Sequence, residues 1–118
     1  MNEELAVIAQ CIDLIQKALK ALDKLTEHCA QIPELTYRDV ITYFTNEMPG
    51  DPRIVKGAVL KQMSPNSEGY YVYQVFLDRA NVPVCNKRGV PYGKKWMTRS
   101  FDGELLTAFG GEDLLIVE

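Results

Sequence analysis

The segment 87–99 holds Lys87, Arg88, Lys94, Lys95 and Arg99 without one acidic residue, a local charge of +5. Tyr92 and Trp96 stand among these cations. Cations beside aromatic rings suit two kinds of contact. One is an acidic protein surface, with Trp96 as a buried anchor and the cations at the rim. The other is RNA or single-stranded DNA, with the cations on phosphates and a ring stacked on a base. The following segment, 100–118, reverses the sign: Asp102, Glu104, Glu112, Asp113 and Glu118 give −5 with no basic residue. A sheet that pairs the two segments would turn them into ordinary surface ion pairs, so fold and solubility also explain the pattern.

The other polar residues offer no local reaction centre. His28 and Cys29 are adjacent, and neighbours on a helix point in different directions, so His28 is not placed as a base for Cys29. Cys11 and Cys85 are remote from them and no CxxC occurs, so the spacing of a structural zinc site is absent. Gly89, Gly93, Gly103, Gly110 and Gly111 form neither of the glycine-rich phosphate-binding fingerprints and read as turn residues. Asp78 and Arg79 could line a pocket at a strand end, and Asp102 and Glu104 could pair as carboxylates. Asp102-Gly103, however, is also a hairpin-turn dipeptide. No cofactor or metal ion is implied. Catalysis would need a site assembled from distant residues, and a phosphate-processing enzyme is the variant that segment 87–99 would favour.

These residues belong to a chain of 118, enough for one domain and one core. With 47% hydrophobic and 25% charged residues it has ordinary globular composition. The net charge of −3 argues against a general nucleic-acid binder and leaves only the local patch. Cys11, Cys29 and Cys85 are an odd set and read as reduced thiols. Acidic residues precede the first apolar run, and no run is long enough to span a bilayer. Neither a membrane span nor a secretory leader is expected, and the expected location is cytoplasmic.

The first element must be helical. Leu5, Ile8, Ile12, Ile15, Leu19 and Leu22 repeat at helical spacing, and nothing from 3 to 29 is proline or glycine. Val7, Cys11, Leu14, Ala18, Ala21 and Leu25 form a second apolar row beside the first. Charged residues fill the remaining arc. So wide an apolar face suits an intrachain core, or a homodimer in which Leu5, Ile8, Ile12, Ile15, Leu19 and Leu22 meet a second copy. Pro33 closes this region, and Thr36 can cap a short second helix from Tyr37 to Asn46.

The remainder reads as β-rich. Strands are expected at Ile54–Met63, bent at Gly57, and at Tyr70–Leu77, paired as an antiparallel hairpin. An irregular excursion over 78–93 leads to a strand Lys94–Phe101. Asp102-Gly103 then turns the chain into a return strand Glu104–Phe109, and a final strand runs from Leu114 to Val117. The predicted fold is α+β: a long N-terminal helix and a short second helix packed on a curved antiparallel sheet of four or five strands. One domain spans 1–118, helical over residues 1–48 and β-rich over residues 53–118. The expected function is non-catalytic protein recognition, as a regulatory accessory domain within an assembly. RNA or single-stranded DNA binding through 87–99 is the alternative. The expected partner is an acidic protein, together with a second copy of the chain, and not a membrane.

Overall fold

The structure is a computed structural model that describes residues 29–64 and 68–117. Its centre is β3 (Tyr70–Leu77), where Val72 to Leu77 are all buried. A continuous buried run of this kind marks a central strand covered on both faces. β2 (Lys56–Met63) pairs with it antiparallel, from Lys56 opposite Leu77 to Met63 opposite Tyr70. The Ser64 N–H donates to the Gly69 carbonyl at 2.9 Å, just beyond the ends of the two strands. β4 (Gly93–Phe101) pairs with the other side of β3, also antiparallel. β5 (Leu114–Val117) adds to β2, and β1 (Cys29–Leu35) adds to β4. The sheet order is β1-β4-β3-β2-β5.

β1 runs parallel to β4, so the sheet is mixed rather than wholly antiparallel. The expected N-terminal helix lies outside the described residues, apart from its last position: Cys29 opens a strand. Pro33 bars a helix at this point, yet a strand tolerates it because β1 is at the sheet's edge and the β1–β4 register passes over Pro33, between Ile32 opposite Thr98 and Glu34 opposite Ser100. The Ser100 hydroxyl donates to the Pro33 carbonyl at 3.4 Å, which links β1 to β4 there, while the Thr98 hydroxyl donates to the Ser100 carbonyl at 2.8 Å.

α1 (Tyr37–Asn46) follows β1 with the expected boundaries. Thr36 Oγ1 accepts from the Asp39 N–H at 2.9 Å, and the Asp39 carboxylate accepts from the Thr36 N–H at 3.1 Å. The capping box thus forms with an aspartate in the place usually taken by glutamate.

The expected return strand at 104–109 is instead a helix, α2 (Gly103–Phe109). Asp102 is its N-cap, with Oδ1 accepting from the Leu105 N–H at 2.9 Å. Gly110, at φ 59°, ends it in the left-handed conformation that favours glycine. Leu105 and Phe109, four residues apart, are both buried on one helical face, and that spacing outweighs the turn signal of Asp102-Gly103. The same Asp102 oxygen accepts from the Tyr37 N–H at 3.1 Å, so one carboxylate caps the starts of both helices.

Both described helices lie on one face of the sheet. Val40, Leu105 and Phe109 pack there on Leu35, Val59, Val72, Trp96 and Phe101. The glycine at position 57 is explained by the same layer: a Cβ on Gly57 would run into the Phe44 ring. Phe44 in turn packs edge-on against Phe76, with ring centroids 5.4 Å apart. The opposite face carries a second cluster of Ala58, Leu60, Tyr73, Val75, Leu77 and Leu114.

Candidate functional site

The alternation of β4 distributes segment 87–99 over three places. Lys87 and Arg88 are exposed at the tip of the excursion before β4. There Asn86 Oδ1 accepts from the Arg88 and Val90 N–H groups at 2.8 and 3.1 Å. Tyr92 is half-buried and donates its backbone N–H to the Val84 carbonyl at 3.0 Å. Lys94 and Trp96 point to the helices. The Lys94 ammonium sits 4.0 Å from the Trp96 ring and 5.7 Å from that of Tyr43, within cation–π range. Trp96 is 8% exposed. Its indole N–H donates to Gln74 Oε1 at 2.8 Å, while Gln74 Nε2 donates to the Val40 carbonyl at 2.7 Å. Trp96 therefore belongs to the core under α1, with its one polar atom used inside the domain.

Lys95, Met97 and Arg99 point the other way. The Lys95 ammonium lies 4.3 Å from the Tyr71 ring and 5.4 Å from the Tyr73 ring. Gln31 Nε2 approaches Met97 Sδ at 4.0 Å. Arg99 is exposed. On this side a cleft of about 640 Å³ crosses β1, β4 and β3. Gln31, Tyr71, Met97 and Arg99 line it, and Glu68 and Gly69 bound it at the β2–β3 turn. Along one side runs β1, which pairs with β4 alone among the described strands. Gln31, Pro33 and Glu34 on β1 are exposed. The cleft thus combines a strand edge unpaired among the described strands, a flexible thioether, a phenol ring and, at its rim, the exposed Arg99 and Glu68.

Sequence reasoning found Lys95 and Arg99 but missed Gln31, Pro33, Tyr71 and Met97. The recoverable signal was the period of two: once 94–101 is a strand, residues 95, 97 and 99 share a face. β1 itself carried no usable signal, because its proline and mixed polarity hid the strand.

The candidate catalytic residues do not converge. Cys29 opens β1 opposite Lys95, and Asp78 follows the end of β3, so both stand at the end of the sheet where β4 begins. Asp102 stands at the opposite end, where its Oδ1 accepts the two helix N–H bonds. Asp78 Oδ1 accepts from the Ala80 and Val82 N–H groups at 2.8 and 3.0 Å. Burial pushes the Cys85 thiol up, against a smaller lowering by Arg53. Two Arg53 side-chain hydrogen bonds hold the half-buried Asp51 carboxyl at about 2. Burial, helped by Glu47, raises Tyr43 to about 12. None of these perturbed groups lines the cleft. Among the described residues, no three His, Cys, Asp or Glu side chains cluster as a metal site would require. Among the same residues, no helix is long and apolar enough to cross a membrane.

No protein-family model, curated protein or solved structure matches the chain.

Proposed function

We propose that this protein is a non-catalytic recognition domain that takes an extended, acidic segment of a partner protein into the cleft beside β1. The observation that carries the reading is the juxtaposition of β1, paired on one side only among the described strands, with a cleft rimmed by Arg99. An edge strand presents backbone N–H and C=O groups to an incoming strand, and flanking side chains supply selectivity. Met97 adapts to varied apolar side chains, and Arg99 favours acidic ones. Such a domain acts by holding its partner, which is the work of a regulatory accessory subunit.

Titrating the protein with short Glu-rich extended peptides, followed through its backbone amide resonances, tests this. The expected shifts fall on residues 31–34, Met97 and Arg99, and disappear with Arg99→Glu. Shifts produced instead by single-stranded RNA, centred on Lys87, Arg88 and Tyr92, would replace this reading with nucleic-acid binding. Saturating peptide that moves no β1 or β4 amide would reject it.

We also propose self-association through Leu5, Ile8, Ile12, Ile15, Leu19 and Leu22, a pattern with the three-and-four spacing of a helix-pairing seam. Light scattering should then return twice the 13.3 kDa chain mass. A mass that stays at one chain across accessible concentrations would reject the dimer.

A further inference from the structure

The face of the sheet turned away from α1 and α2 is apolar and closed. Ala58, Val75 and Leu77 are 0% exposed, and Leu60 and Tyr73 are 2% and 4% exposed. They form one cluster with Leu114, and Tyr71 and Ile116 pack at its margin. No described helix lies on this face. A sheet buried on both sides requires a layer on each.

We propose that residues 7–25 of the same chain form that layer, docking through Val7, Cys11, Leu14, Ala18, Ala21 and Leu25. The sequence supplies a face of the right shape. At about 100° per helical residue, this row is centred about 110° from the row Leu5 to Leu22, so one wide apolar arc carries two adjoining rows that turn in different directions. Asp13, Lys17, Lys20 and Lys24 fall on the arc left over. Three of the six docking residues, Cys11, Ala18 and Ala21, are small. The sheet offers the large counterparts Leu60, Tyr73 and Leu77. Small side chains against large ones let a helix approach closely and interdigitate.

The lengths also agree. A helix over 7–25 spans about 27 Å, and the eight residues of β3 span about 26 Å. The occupant is this chain's own segment because it runs directly into Cys29, the first residue of β1. A short tether gives the segment an effective concentration of order millimolar at the face, well above that of a separate copy in dilute solution. The Leu5–Leu22 row stays outward in this arrangement, available to a second copy. The domain then has three layers, with helices on both faces of the sheet.

The test uses the full chain without substitution. Methyl-labelled protein is mixed with unlabelled protein, and isotope-filtered spectra separate contacts within a chain from contacts between chains. We expect nuclear Overhauser contacts from Ala18, Ala21 and Leu25 methyls to Val75, Leu77 and Leu60 methyls, all within one chain. Contacts found only between chains would overturn the proposal in favour of an exchanged segment, and their absence would overturn docking altogether. A second reading comes from Cys11, which should alkylate at least about tenfold more slowly in the native chain than in urea, as expected of a residue closed off by docking. An equal rate in both conditions would overturn the proposal. A monomeric mass with these intrachain contacts retained would reject the dimer and leave this docking intact.

Discussion

Replacing Gln74 with leucine should destabilise the protein by about 2 kcal/mol, although the position is fully buried and leucine is the more apolar residue. Gln74 bridges two elements, accepting from the Trp96 indole and donating to the Val40 carbonyl. Without it, a buried indole N–H is left without a partner, at a cost of about 1–3 kcal/mol. The lost bond to Val40 adds about 0.5–1.5 kcal/mol, and the apolar gain of leucine returns about 1 kcal/mol. The shift corresponds to about 8 °C in Tm for a domain of this size. Urea denaturation can follow it by fluorescence, since Trp96 is the one tryptophan. The discriminating step is a double-mutant cycle read by circular dichroism. In a Trp96→Phe background there is no N–H to strand, so Gln74→Leu should cost at most about 0.5 kcal/mol. Equal costs in both backgrounds would refute the bridge as the source of the effect.

Asp102→Ala removes the cap of two helices and should cost about 2 kcal/mol in chemical denaturation, against about 1 kcal/mol for Thr36→Ala, which removes a hydroxyl acceptor at one helix. Gly57→Ala should destabilise by about 1–3 kcal/mol because the new Cβ meets the Phe44 ring, and Phe44→Leu in the same chain should recover some of the loss. Tyr43 should form phenolate at about pH 12 in ultraviolet titration, because burial and then Glu47 disfavour its charge. Its folded pKa lies above the unfolded value of about 10, so its contribution to stability is intact below pH 10 and is lost as the pH rises towards 12. Tyr43→Phe should flatten that decline.

How much of this was legible in the sequence depended on whether local pattern and tertiary context agreed. Tyr70–Leu77 and Leu114–Val117 are readable at their observed limits because β-branched and aromatic runs between turn residues have few other uses. Tyr37–Asn46 is equally clear from its cap and its break. Glu104–Phe109 reads wrongly as a strand because Asp-Gly serves both as a hairpin turn and as a helix start, and only the Leu105–Phe109 spacing separates the two. β1 is hidden because a parallel edge strand takes its partner from far along the chain, here Lys95 to Phe101, and leaves no hairpin signal beside it. The same gap conceals the cleft, one wall of which is β1. The basic-aromatic segment is plain as composition. Its division between two faces becomes visible only once β4 fixes which side chains alternate, placing Trp96 in the core and Arg99 at the rim.

The most direct test of the recognition reading is a charge exchange at that rim. Binding of a short Glu-rich peptide is measured by calorimetry for the native protein and for Arg99→Glu, then repeated with a Lys-rich peptide of the same length. The native protein should prefer the acidic peptide. Arg99→Glu should weaken that peptide by about tenfold or more and strengthen the basic one, since juxtaposed like charges are repelled and opposite charges attracted. Equal affinities of both proteins for both peptides would contradict recognition through the cleft beside β1.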